Sequence, residues 1–271
     1  MSLIKNNHQY LRVSIEDSIA VVLLNNPKKT NAINETMWGE IKTAFDELAN
    51  IDEVKVCIIK SDAKHFSSGI DVNFLTTIMN RISSLPEDER EEALYEQIKI
   101  MQESMNAIES CPKPVIAAIH GICVGGAVDL VAACDIRLAT YSSMFSIMET
   151  KLGIVADMGT LQRLPRIISD THLKELALSS DFFTGFKAKK IGMVNRNYLT
   201  KKALHSGAYK WAKKLATLPS IAVQGTKQTI NYGRDHAVLD GLEQVARLNS
   251  HLLMSEQTTK ALSEIKRKLG R

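Results

Sequence analysis

The feature that most constrains this chain is a rhythm: short runs dominated by apolar residues recur, and longer stretches of helical periodicity separate them. Residues 19–24 (Ile-Ala-Val-Val-Leu-Leu), 54–60, 114–119 and 136–140 are such runs and read as buried strands. Between the first two, residues 35–49 place Met37, Ile41, Phe45 and Leu48 on one stripe, with Asn34 as the N-cap. A long amphipathic helix follows Pro86. Its acidic opening, Glu87-Asp88-Glu89-Arg90-Glu91-Glu92, reads as a solvated first turn where carboxylates suit the helix dipole. Strands alternating with helices predict an α/β fold with a largely parallel sheet joined by crossovers. Ahead of it, residues 10–16 alternate with period two and form a hairpin with residues 19–24 across Asp17-Ser18.

The rhythm stops near residue 198. From Lys201 to Leu269 only helical periodicity is found, broken near Leu218-Pro219-Ser220 and Tyr232-Gly233. The expected division is a catalytic core over residues 1–198 and a helical region over 199–271 that packs on a neighbouring subunit. A length of 271 residues suits one α/β domain with a helical appendage.

Bulk properties exclude several classes. A net charge of +4 does not call for nucleic acid, and no basic stripe is interleaved with aromatics. No apolar run approaches the ~18 residues of a membrane span. Cys57, Cys111, Cys123 and Cys134 show no Cys-x-x-Cys pairing, which fits a reducing compartment. The N-terminal Met1-Ser2-Leu3-Ile4-Lys5 resembles neither a signal nor a transit peptide, and Lys268-Leu269-Gly270-Arg271 is not a peroxisomal address. The expected location is cytoplasmic.

Candidate chemistry gathers around one glycine pair. Asp129, Glu149 and Asp157 follow Gly125-Gly126 in apolar surroundings: Ala127-Val128-Asp129-Leu130-Val131, Phe145-Ser146-Ile147-Met148-Glu149 and Ile154-Val155-Ala156-Asp157-Met158. Acids are rarely buried unless paired or working. The segment Ile119-His120-Gly121 ends a strand, a loop runs to Gly125-Gly126, and a helix then starts. N–H groups at a helix start are unpaired and face positive potential; the alternative is a tight turn where helix packs on strand. A second glycine loop, Ser67-Ser68-Gly69-Ile70-Asp71, follows the strand at 54–60. Two such loops could aim two N–H groups at one oxygen, as an oxyanion hole does.

Competing motifs fail. No Gly-x-Gly-x-x-Gly follows a strand, no Gly-x-Ser-x-Gly elbow or Walker spacing is present, and the seven histidines are scattered, so no metal site is supported. His120, beside the loop, reads more readily as structural than catalytic. Phe74, Leu75, Ile78 and Met79 follow the second loop at helical spacing, lining either a substrate tunnel or the core.

Several motifs together resemble the crotonase (enoyl-CoA hydratase/isomerase) superfamily over residues 10–200. They are Asn31-Ala32, Ser67-Ser68-Gly69-Ile70-Asp71, Pro112-Lys113-Pro114-Val115-Ile116-Ala117-Ala118-Ile119-His120-Gly121, Gly125-Gly126, Cys134-Asp135-Ile136-Arg137 and Gly159-Thr160-Leu161-Gln162-Arg163-Leu164-Pro165. The resemblance implies a crotonase-like spiral of ββα repeats with a helical trimerisation region and a hexamer built as a dimer of trimers. It implies an acyl-CoA thioester as substrate, no separate cofactor, and a place in fatty-acid β-oxidation. The oxyanion hole falls on the N–H groups of Ile70 and Gly126. Ser68, Gly69, Asp71, Gly125, Ala127 and Lys28 are implied as substrate or CoA contacts. Lys29, Lys64 and the Lys266-Arg267-Lys268 cluster are further candidates for CoA phosphates or are plain surface charges.

Within the superfamily, the hydratase pattern has glutamates at positions 129 and 149 and commonly a glycine at 157. Asp129, Glu149 and Asp157, with Ile70 in place of alanine, are similar to the Δ3,5-Δ2,4-dienoyl-CoA isomerases. The implied reaction moves double bonds from 3,5-dienoyl-CoA to 2,4-dienoyl-CoA. Glu149 and Asp157 would serve its two ends, with Asp157 favoured at C2, and Asp129 would tune or orient them. Hydration of 2-enoyl-CoA is the nearest alternative, and a non-catalytic RNA-binding or scaffold protein of the same fold the remote one.

Overall fold

The computed structural model describes residues 2–3 and 8–270. In chain order the elements are β1 (Ser2–Leu3), β2 (Leu11–Glu16), β3 (Ile19–Leu24), α1 (Glu35–Ala49), β4 (Val56–Ser61), α2 (Val72–Ser83), α3 (Glu87–Ser110), β5 (Val115–Ile119), β6 (Ile122–Val124), α4 (Gly126–Ala132), β7 (Ile136–Thr140) and β8 (Met144–Ser146). There follow α5 (Thr160–Arg163), α6 (Asp170–Ser179), β9 (Phe183–Thr184), α7 (Gly185–Lys190), β10 (Arg196–Tyr198), α8 (Lys201–Ala216), α9 (Ser220–Tyr232), α10 (Val238–Leu252) and α11 (Glu256–Lys268). Short 3-10 turns cover Pro27–Lys29, Glu149–Leu152 and Leu164–Arg166.

The larger sheet runs β1-β2-β3-β4-β5-β7-β10. Its first three strands are antiparallel and the pairs from β3 onward are parallel, with Ile19 opposite Val56, Cys57 opposite Val115 and Ile116 opposite Ile136. The smaller sheet runs β6-β8-β9. Isolated parallel bridges, Ser67 to Cys123 and Ile33 to Ile70, continue the smaller sheet toward the N-terminus. Successive turns therefore repeat one plan: a strand in the large sheet, an extended segment in the small layer, then a helix. This is the expected ββα spiral.

Why the central strands carry so few polar residues follows from the layers. On one face, Ala20, Val22, Leu24, Cys57, Ile59, Val115, Ala117 and Ile119 enter the main core with Met37, Ile41 and Phe45 of α1. On the other, Ile19, Val56, Ile58, Ile116, Ala118 and Leu138 meet Leu204, Ala208 and Ala212 of α8. Strands covered on both faces have no use for alternation. Of the helical stretch expected to serve oligomerisation, α8 is thus committed to the sheet, whereas α10 and α11 bury no residue. The helical stretch also breaks once more than its sequence signals, at residues 253–255 between α10 and α11.

The segment read as a loop from Gly121 to Gly125 is instead strand β6, which pairs with β8 through Cys123 opposite Phe145. Three residues of strand leave too short a run for periodicity to register. The Cys134-Asp135-Ile136-Arg137 motif is structural. Asp135 accepts hydrogen bonds from the Val115 N–H (2.7 Å) and Lys227 Nζ (2.8 Å), and the buried Arg137 donates to the carbonyl of Met193 (2.8 Å).

Candidate active site

The site is assembled by two loops tied together at Asn31. This residue sits in the left-handed region (φ 51°), which asparagine tolerates, and it is fully buried. Its amide donates to Ser61 Oγ (2.8 Å) and to the Phe66 carbonyl (2.9 Å) and accepts from the Asn26 N–H (2.8 Å). Its carbonyl accepts from the Ser67 hydroxyl (2.7 Å). The exit of β3 is thereby fastened to the segment leading to Ile70.

Backbone geometry then aims the Ile70 N–H. Ile33 donates to the Gly69 carbonyl (2.8 Å) and Asp71 donates to the Ile33 carbonyl (3.0 Å). In a parallel pairing, the amide between those two contacts points to the opposite side. That side is the start of α4: a Cβ built on Gly126 would stand 3.5 Å from the Ile70 nitrogen. Gly126 is the first residue of α4, so its N–H has no intrahelical partner. Among the described residues, neither N–H donates a hydrogen bond. Gly69 permits the approach, since it has φ of +80° and any Cβ there would lie 2.4 Å from the Val124 carbonyl oxygen. The two loops thus present two free N–H groups side by side.

The carboxylates lie next to this pair. Glu149 is 8% exposed. Its Oε1 is 3.5 Å from the place a Cβ of Gly125 would occupy, and its Oε2 has no hydrogen-bond partner among the described residues. Burial, and then the nearby Asp129, raise its pKa to about 7. Asp129, in the first turn of α4, is 1% exposed, and its Oδ1 accepts the Thr160 N–H at 2.7 Å. Burial raises its pKa to about 6 against the hydrogen bonding from Thr160, and Asp157 adds to the rise. Asp157 is half-buried, and burial raises its pKa too. Glu149 and Asp129 therefore titrate near neutrality, where a carboxyl can both take and give a proton, and the charge of Asp157 raises both.

The remaining candidates divide. Asp71 caps α2 by accepting the Asn73 N–H (2.9 Å) and pairs with Lys29 (2.8 Å), so it contributes through the loop it anchors. The Ser68 N–H donates to the Thr30 carbonyl (3.0 Å). Ala127 is buried in α4, and Lys28 is exposed on the turn after β3. Phe74 and Ile78 take the core alternative and Met79 is exposed. His120 has Nε2 2.9 Å from the Ala63 carbonyl oxygen and lies edge-on to His205, as a structural histidine would. Of the Gly159-Thr160 turn that Asp157 would cap in the alternative reading, the Thr160 N–H goes to Asp129. Sequence reasoning missed the organising roles of Asn31 and Thr160. An asparagine inside Lys28-Lys29-Thr30-Asn31 was a signal for a left-handed turn, whereas nothing local marked Thr160.

Comparison with known proteins shows the family. Residues 14–269 match the family model described as enoyl-CoA hydratase/isomerase. The chain is 40% identical over 256 residues to an Arabidopsis thaliana protein named peroxisomal Delta(3,5)-Delta(2,4)-dienoyl-CoA isomerase, covering 94% of this chain and 92% of that one. It is 36% identical over 265 residues to the mitochondrial protein of that name from Mus musculus, covering 95% and 79%. The crystal structure of an enoyl-CoA hydratase from Bacillus anthracis superposes with a TM-score of 0.85 at 26% identity, covering 96% of this chain and 97% of that one. With the matched fold, the paired N–H groups and the buried acids in hand, the chain belongs to the enoyl-CoA hydratase/isomerase family.

Proposed function

We propose that this protein is an isomerase that converts 3,5-dienoyl-CoA to 2,4-dienoyl-CoA in fatty-acid β-oxidation. The observation that carries this reading is a third, half-buried acid, Asp157, whose charge acts on the buried Glu149 and Asp129 beside the paired N–H groups of Ile70 and Gly126. Hydration needs two acids to position one water; moving two double bonds needs proton transfer at two distant carbons. The relatives named as dienoyl-CoA isomerases support the same choice.

In this mechanism the thioester oxygen accepts both N–H groups, which stabilise it as charge develops. Glu149 packs against Gly125, one residue from the Gly126 N–H, so it faces C2, the carbon bonded to the carbonyl. This reverses the preference for Asp157 at C2. Glu149 removes the C2 proton and that C–H pair becomes the C2–C3 double bond. The C3–C4 pair moves to C4–C5, and the C5–C6 pair takes a proton at C6 from Asp157. The coupled carboxylates redistribute the gained proton before the next turnover. Asp129, holding the Thr160 N–H, orients the segment that carries Asp157.

Lys28 is suited to the CoA phosphates from its exposed turn. A hexamer built as a dimer of trimers fits the exposed apolar residues Val238, Leu239, Leu242, Leu262 and Ile265 on α10 and α11. No helix among the described residues is long and apolar enough to cross a membrane. The relatives named above are peroxisomal and mitochondrial. Ultraviolet absorbance with 3,5-dienoyl-CoA and with 2-enoyl-CoA tests the activity. Growth of the 2,4-dienoyl chromophore, lost in Asp157→Asn, is expected. Rapid hydration of the 2-enoyl substrate, no dienoyl conversion and an indifferent Asp157→Asn would replace the isomerase with a hydratase.

A further inference from the structure

Helix α3 carries Gln102, Asn106 and Glu109 at positions i, i+4 and i+7, a polar stripe on one face. The stripe lines one side of a cavity of about 300 Å³ whose other side includes Met158, Gly159 and Arg163. Each of its members is bonded to the segment that carries Asp157. Gln102 Nε2 donates to the carbonyl of Asp157 itself (2.7 Å). Arg163 bridges the two sides: its Nε donates to Glu109 (2.8 Å), one terminal nitrogen to Asn106 Oδ1 (2.8 Å) and the other to the Met158 carbonyl (3.1 Å). Glu109 also takes Arg234, so the anchor is braced from the far side.

Gly159 locks this arrangement. It has φ of +113°, and a Cβ there would fall 1.8 Å from an Arg163 nitrogen. The guanidinium thus lies directly over the glycine, occupying the space a side chain would need. On the opposite flank, Asp129 holds the Thr160 N–H. Residues 157–160 are consequently pinned at three successive places: the Asp157 carbonyl, the Met158 carbonyl and the Thr160 N–H. Two of those pins come from groups that lie outside the acid triad.

We propose that Gln102 and Arg163 are positioning residues that fix the reach of Asp157 toward the distal carbon of the dienoyl chain and leave Glu149 untouched. The inference rests on the isomerase reading above. It separates the two ends of the reaction, because Glu149 is placed by β8 and the turn after it, and these two residues make no hydrogen bond to that segment. A misplacement of about 1 Å at a reacting group costs on the order of 100-fold in rate, and loss of one of two backbone anchors is expected to cost about 10- to 100-fold.

The test measures two rates on the full-length protein. One is formation of the 2,4-dienoyl chromophore; the other is exchange of the C2 hydrogen of the same substrate into D2O, read by NMR. Gln102→Leu is expected to slow the first by about 10- to 100-fold in kcat with KM unchanged, while C2 exchange stays within about twofold of wild type. Arg163→Met behaves likewise, and Arg163→Lys, which keeps one donor, recovers part of the loss. If Gln102→Leu does not fold, Gln102→Glu, equal in shape but unable to donate when ionised, takes its place. Equal slowing of both rates, a change confined to KM, or wild-type kcat in these variants would overturn the positioning role. A wild type that forms no dienoyl chromophore, or an indifferent Asp157→Asn, would overturn the isomerase reading and this inference with it. Defective Asp157→Asn with unaffected Gln102 and Arg163 variants would overturn the inference alone.

Discussion

Replacing Glu149 with Gln is expected to make the protein more stable in alkaline solution while removing its activity. The magnitude follows from the site. The carboxyl is buried, its Oε2 is unpartnered, and its pKa rises from 4.5 to about 7. The folded state therefore holds its proton more tightly than the unfolded state does, and stability falls as pH rises from about 4.5 through about 7. Linkage gives a cost of roughly 3 kcal/mol at pH 8 and about 1 kcal/mol at pH 5, a difference of about 2 kcal/mol. Glutamine does not ionise, so it removes this pH-dependent part. Its own buried amide adds a penalty of about 1–3 kcal/mol that is the same at both pH values. The change in stability on going from Glu149 to Gln should thus be more favourable at pH 8 than at pH 5 by about 2 kcal/mol, or about 4–8 °C in Tm for a chain of this size. Thermal or urea unfolding of both proteins at the two pH values, at fixed protein concentration, measures it. An equal effect of the substitution at pH 5 and pH 8 would refute the claim that burial strains the ionised Glu149.

Other outcomes follow from single contacts. Gly69→Ala places a Cβ 2.4 Å from the Val124 carbonyl at a positive φ; displacing the Ile70 N–H should lower kcat by about 100- to 1000-fold, and a kcat near wild type would remove Ile70 from the oxyanion hole. Lys227→Met strands the partly buried Asp135 carboxylate and should cost about 3 kcal/mol in urea unfolding at neutral pH. Burial chiefly, with Lys60 and His120 adding, lowers the His205 pKa to about 4. Its contribution to stability is therefore complete above about pH 6.5 and is lost as pH falls from there toward 4; His205→Asn should flatten that acid limb, and an unchanged limb would assign the acid sensitivity elsewhere.

Most of the scaffold was legible in the residues. The hairpin, α1 with its Asn34 cap, α3 after Pro86 and the four buried strands all lie where apolar spacing and end signals put them, because those signals are local. The short strand β6 was not legible, since three residues carry no period and only its pairing with β8 defines it. Nor was the role of α8, whose apolar stripe looks like those of α10 and α11 but alone meets the sheet. Asp71 shows the same limit at the site. Its place in the loop was visible, but its pairing with Lys29 depends on a turn far earlier in the chain.

Sequence alone determined that glycine segments follow two buried strands and that three acids follow the Gly125-Gly126 pair. Glycine, strand ends and helix starts are properties of neighbouring residues, so a linear reading finds them. Only the tertiary structure decided what those groups became. It set the Ile70 and Gly126 N–H groups side by side, gave the Thr160 N–H to Asp129, and left Glu149 Oε2 without a partner beside Gly125. Each of these is a contact between residues distant along the chain. A carboxyl's proton affinity is fixed by the burial and charges such contacts create, so the division of labour among the acids exists only in the folded molecule.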